Sequence, residues 1–134
     1  MRERPARHRP GRDRDAGIVS LEVAILFPAC FLLILATVQV SLWFFARAAA
    51  LAAARAGAVS GASYNSSPAN GAAAAQTFAA AQAGDMLSGV HASTDGSTAA
   101  AVRITVSGTS LSLIPGWTIT VSQTSQEPSE VFTP

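Results

Sequence analysis

Glu22 is a carboxylate that stands five residues after Gly17 and directly before a stretch, Val23 to Ala46, whose one ionisable side chain is the thiol of Cys30. A carboxylate at the mouth of so apolar a run costs free energy unless a cation neutralises it, so the chemistry expected of Glu22 is charge pairing. Other chemistry lacks its parts. His8, His91 and Cys30 are too few and too scattered for a zinc site or a nucleophile with its base, and no glycine-rich phosphate loop or paired catalytic carboxylates are present. Asp85, Asp95, Glu127 and Glu130 read as solvated charges. The chain is expected to be a building block and no enzyme, with no cofactor and no metal.

The element that must carry Glu22 is the apolar run itself. It exceeds the roughly 20 residues that a helix needs to cross about 30 Å of hydrocarbon, so a membrane span is expected. Pro28 falls inside it, removes one backbone hydrogen bond and is expected to kink the helix. Trp43, Phe44 and Phe45 mark the far interface, with Arg47 just beyond. Cys30 reads as a small apolar filler.

Charge sets the expected orientation. Six arginines, Arg2, Arg4, Arg7, Arg9, Arg12 and Arg14, precede the run, whereas the formal net charge of the whole chain is only +1. The basic character belongs to this leader, residues 1–17, so it does not read as a nucleic-acid surface. By the positive-inside rule the leader stays cytoplasmic and the C-terminus lies outside the cytoplasmic membrane in a single-pass protein. The leader has no apolar periodicity and is expected to be disordered unless bound. A cleaved secretory signal is the minor alternative, since its apolar region is typically about 7 to 15 residues and this run is longer.

Strong helix formers continue from Ala46 to Ala58, so the helix is expected to run on as a stalk through residues 18–62. Residues 18–58 alone would make a rod of about 60 Å at 1.5 Å per residue. Gly57 and Gly61 have the spacing of a close helix contact, but outside a bilayer they read as the helix end. Tyr64 to Gly71 is rich in turn formers, and Ala72 to Leu87 reads as a second helix anchored by Phe78, Met86 and Leu87. Gly89 to Ser97 reads as loop. Val102, Ile104 and Val106, then Trp117, Ile119 and Val121, alternate with polar residues and predict two antiparallel strands, with Leu111 and Leu113 as a possible third. Residues 123–134 read as a flexible tail. The fold class expected is α+β, with a long transmembrane helix, a second Ala-rich helix and a small C-terminal β-hairpin. Residues 63–122 would form the extracytoplasmic module.

A Gly followed by four residues and a Glu, between an arginine-rich leader and a long apolar helix, resembles the processing site of type IV pilins. More narrowly, the chain resembles the TadE-like pseudopilins of tight-adherence (Flp-type) pili. The matching residues are Gly17, Glu22, the Ala24-to-Pro28 stretch, a polar Gln39, and Ala54 to Ala58. Val23 and Gln39 depart from the pattern, which more often has an aromatic and an acidic residue there. The resemblance implies cleavage after Gly17 by a prepilin peptidase, so that Ile18 becomes the N-terminus with Glu22 as fifth residue. It also implies pilin or pseudopilin subunits and the pilus machinery as partners. A free amine on Ile18 would be mostly protonated at pH 7 and could pair with Glu22 of a neighbouring subunit. The runner-up is an uncleaved single-pass anchor that presents a small interaction module.

Overall fold

The computed structural model describes residues 13–130, and of these residues 13–16 and 18 by backbone only. The leader expected to be disordered lies, for residues 1–12, outside the described residues, as do residues 131–134. The chain divides into two compact units, Met1–Ala36 and Thr37–Pro134. Helix α1, Asp13–Ala62, contributes to both, and it is assigned without interruption on both sides of Pro28.

Within the second unit, α1 is followed by α2 (Pro68–Ala83), a single 3-10 turn (Gly84–Met86), and strands β1 (Leu87–Ser93), β2 (Ala101–Ser110) and β3 (Ile119–Pro128). The strands form one antiparallel sheet in the order β1-β2-β3. The α+β class therefore stands, but the expected hairpin is a three-stranded sheet. Its third strand is β1, from residues read as helix end and loop, while Leu111 and Leu113 lie in the β2–β3 connection. Residues 123–128, read as tail, are the second half of β3. They pair with β2 without a break, from Ser110↔Ile119 to Ala101↔Pro128.

The backbone explains these elements one by one. Ser67 accepts a hydrogen bond from the Asn70 N–H at 3.3 Å and Pro68 opens the helix, so α2 begins four residues before the expected Ala72. Its buried residues, Gly71, Ala75, Ala79 and Ala83, recur every fourth position and form one stripe. In β1 the register slips by one residue between Ser88 and His91, at Gly89, whose φ of 59° suits a bulge that only glycine adopts without strain. On β2 the inward residues Val102, Ile104 and Val106 supply the largest buried side chains, Ile104 and Val106 being fully enclosed.

The core that these elements share is made chiefly of small side chains. Ala46, Ala50, Ala53, Ala54, Ala58 and Ala62 of α1 meet the α2 stripe and the β2 face in one cluster. Small residues let the helices come close, and Gly57, Gly61 and Gly71 show how close. A Cβ built on Gly57 would lie 2.6 Å from the Gly71 carbonyl oxygen and 2.7 Å from the Ala75 Cβ, and one on Gly71 would lie 2.5 Å from the Gly57 carbonyl oxygen. The helix does not stop at Gly57 or Gly61, as expected from sequence, but passes through both to Ala62. These glycines are where backbone packs on backbone.

The end of α1 is closed from the far end of the sheet. The Glu130 N–H donates to the Ala62 carbonyl at 2.9 Å, and the Glu130 carboxylate accepts the Tyr64 N–H at 3.3 Å. Two groups that a helix terminus leaves unpaired are satisfied in this way. Glu130, read as merely solvated, is thus a cap.

Candidate functional site

Two places on α1 carry side chains whose chemistry the rest of the chain does not explain. The first lies in the Met1–Ala36 unit and holds the residues singled out from sequence. Gly17, Ile18, Glu22 and Pro28 all fall within α1. Gly17 and Glu22 are both exposed. Five residues apart on a helix, they stand about 140° apart around the axis, whereas Ile18 and Glu22, four apart, share a face with a rise of about 6 Å. The backbone thus aligns the residue after Gly17, and not Gly17 itself, with the carboxylate.

Packing gives no reason for a glycine at position 17. A Cβ there would meet nothing within 4 Å, in contrast to Gly57, Gly61 and Gly71. The surroundings of Glu22 are equally open. Val19, Leu21, Val23, Ile25, Leu26 and Phe27 are exposed, and so are Phe31, Leu32, Leu33 and Ile34 further along. Helix α1 is long and apolar enough to cross a membrane, and 6% of its most apolar window is buried. A core helix of a water-soluble domain would show the opposite. Cys30 is a free, exposed thiol on this surface. Among the described residues no group of three His, Cys, Asp or Glu side chains lies together as a metal site would require.

The second place belongs to the Thr37–Pro134 unit, and sequence reading missed its meaning. Gln39 is a polar side chain in an apolar run, yet it is only 5% exposed. Its Nε2 donates to the Leu111 carbonyl at 3.4 Å, and its Oε1 accepts the Leu113 N–H at 2.9 Å. One amide therefore pins the start of the β2–β3 loop, residues 111–118, to α1. An acid at this position would accept from Leu113 but would have no proton to give to Leu111. The loop is further shaped by Ser112, whose hydroxyl takes the Ile114 N–H at 3.2 Å, and by the Trp117 N–H donating to the Ile114 carbonyl at 3.2 Å. Beside it Gln39, Val40, Trp43, Trp117 and Ile119 line one apolar groove. The Arg47 guanidinium sits 5.6 Å from the Trp43 ring centroid, within cation–π range.

The polar spacing that could have flagged Gln39 is a single glutamine inside an otherwise apolar stretch, but its partners lie more than seventy residues downstream. Gln39→Ala is expected to cost about 1–3 kcal/mol, because it leaves the partly buried Leu113 N–H and Leu111 carbonyl without their partner. Hydrogen exchange on the detergent-extracted chain checks this: the Leu113 amide should exchange faster, with the Ile104 and Val106 amides little changed. Equal protection at Leu113 in the two proteins would remove Gln39 as the pin.

The geometry is matched by one comparison with known proteins. Residues 17–59 match the family model described as TadE-like protein, an interval that begins at Gly17 and ends within α1. No curated protein and no solved structure matches the chain. The match includes Glu22, Pro28, Gln39 and Gly57, and it leaves out α2 and the sheet.

Proposed function

We propose, for a chain whose residues 17–59 are a TadE-like segment, that it is a minor pseudopilin of a tight-adherence pilus assembly. In this reading it is made as a single-pass protein of the cytoplasmic membrane with its N-terminus inside, is cut after Gly17 by a prepilin peptidase, and is built in through α1. It acts as a subunit and not as a catalyst. The observation that carries the reading is the order of Gly17, Ile18 and Glu22 at the head of an exposed apolar helix, within the matched interval.

The helix gives the cleavage a physical consequence. In the uncut chain α1 starts at Asp13, so its unpaired N–H groups and positive dipole end lie over residues 13–16. After cleavage the helix starts at Ile18. Glu22 then lies just past the first turn, one helical step from a free α-amine on the same face. A group that was an isolated carboxylate inside a helix becomes one half of a charge pair. The same cut leaves the exposed faces of Val23, Leu26 and Phe27 unchanged, so the surface that holds the subunit in the bilayer is also available to pack against other helices after extraction.

Intact-mass measurement and N-terminal sequencing test the reading directly. The full chain is expressed in a host with an active prepilin peptidase and in the same host with the peptidase inactivated, and is then extracted from membranes. The expected result is a chain beginning at Ile18 in the first and an unprocessed leader in the second. Retention of Met1–Gly17 in both would leave an uncleaved membrane anchor and overturn the pseudopilin reading.

A further inference from the structure

The β2–β3 loop has a composition that water does not favour. Leu111, Leu113, Ile114 and Trp117 occupy half of an eight-residue connection, with Leu113 46% and Trp117 54% exposed. Loops in water are ordinarily polar, and exposed apolar clusters mark a surface that is covered by something. No ionisable side chain occurs between Ile104 and Gln126.

What covers the loop follows from where Gln39 pins it. The exposed apolar stretch of α1 from Val19 to Val38 is about 20 residues, or about 30 Å of helix, which is the hydrocarbon thickness of a bilayer. Gln39 is the next residue, so the loop is fastened to α1 at the level where the hydrocarbon would end. Trp43, one turn further on, lines the same groove as Trp117, and Arg47 follows another turn along. Two tryptophans and an arginine at one level are the side-chain set that the headgroup boundary favours, with indoles in the interface and a cation at lipid phosphate. Asp85, in the turn before β1, lies at this end of the sheet as well, since the Leu111 N–H donates to the adjacent Met86 carbonyl at 3.1 Å. A single carboxylate in the hydrated headgroup zone is no obstacle.

We propose that the β2–β3 loop is an interfacial membrane anchor: the headgroup–acyl boundary of a phospholipid bilayer receives Leu113 and Trp117, while Trp43 and Arg47 hold the same depth on α1. The proposal rests on α1 spanning the membrane. The loop and the helix then touch the bilayer together, and the module leaves the surface only when both let go. Extraction of the subunit would thus expose an apolar loop as well as an apolar helix.

The test uses the full chain in phosphatidylcholine–phosphatidylglycerol vesicles that carry lipid brominated at acyl positions close to the headgroup. Trp43→Phe leaves Trp117 as the sole indole, and Trp117→Phe leaves Trp43. For both proteins the bromolipid is expected to lower emission about twofold relative to unbrominated vesicles, as two indoles at one interfacial depth require. Quenching of Trp43 without quenching of Trp117 would overturn the loop anchor and leave the span intact, including the case in which acrylamide also fails to reach Trp117 because another protein copy covers it. Quenching of neither would overturn both. Should either tryptophan variant misfold, a spin label on Pro115→Cys in a Cys30→Ala background reads the same depth. It is expected to be more accessible to dissolved oxygen than to a water-soluble nickel chelate, and the reverse order would overturn the proposal.

Discussion

Gly71→Ala is expected to loosen or unfold the α2–sheet module, although alanine is the better helix former by about 1 kcal/mol. Gly71 lies inside α2, in ordinary helical backbone, so an exposed Gly-to-Ala change there would stabilise the chain. The neighbours reverse the sign. The added methyl would meet the Gly57 carbonyl oxygen at 2.5 Å and the Gly61 Cα at 3.0 Å, both backbone atoms that no rotamer change can move. Relief requires α2 to back away from α1, and α2 holds Ala75, Ala79 and Ala83 in the same core. Overpacking of this kind typically costs about 1–3 kcal/mol, and a core made chiefly of alanine has little burial in reserve to offset it. Thermal unfolding of the detergent-extracted chain, followed by limited proteolysis between α1 and α2, measures the effect. The expected outcome is a lower midpoint for Gly71→Ala and an unchanged one for Gly17→Ala, where the new methyl meets nothing. Equal midpoints for Gly71→Ala and the parent would show that the helices do not meet as closely as the structure has them.

That contrast also shows what was legible from sequence. Gly71 sits in Ser-Pro-Ala-Asn-Gly, a string of turn formers, and local propensity points to a break there. Packing against Gly57 and Gly61 makes it helix, and no local signal encodes that contact. The same limit hid two stretches of the sheet. β1 buries only Leu87 and Ala92 and carries a bulge at Gly89, so the alternation that betrays a strand is lost. The second half of β3 has no apolar residue from Ser122 to Gln126, and backbone pairing to β2 holds it there. Side-chain ties across the ladder assist, with Arg103 reaching Gln126 at 2.8 Å and the Thr105 and Thr124 hydroxyls 2.8 Å apart. β2 itself was legible, because Val102, Ile104 and Val106 alternate cleanly against one buried face. So were the long apolar helix and the pattern of Gly17 and Glu22, since charge against an apolar run is a local property. Gln39 falls between these cases: its oddity is local, but its role exists only once Leu111 and Leu113 have folded back to it.

Glu22→Ala is expected to leave cleavage after Gly17 largely intact and to abolish entry of the subunit into the assembly. The two steps depend on different properties. Cleavage acts on an exposed backbone at Gly17, and Glu22 is displaced from it by about 140° around the helix. Assembly, in the proposed reading, is driven by relief of a charge that the bilayer does not accommodate. An unpaired carboxylate near the membrane costs up to about 2.5–3.5 kcal/mol, less at its edge, and a neighbour's Ile18 amine removes that cost. Alanine removes the penalty and with it the reason to seek the neighbour. The residue that separates charge from shape is glutamine: Glu22→Gln keeps the length and polarity of the side chain but cannot form the ion pair, and it is expected to fail as Glu22→Ala does. The measurement is paired, with N-terminal sequencing of the membrane fraction for cleavage and the amount of subunit in sheared filaments for assembly. Both variants should yield chains beginning at Ile18 and little or none in filaments. If Glu22→Gln reached filaments at the parent level, the carboxylate would be serving through shape or hydrogen bonding, and the pairing with a newly made amine would be the wrong account of why Gly17 and Glu22 stand where they do.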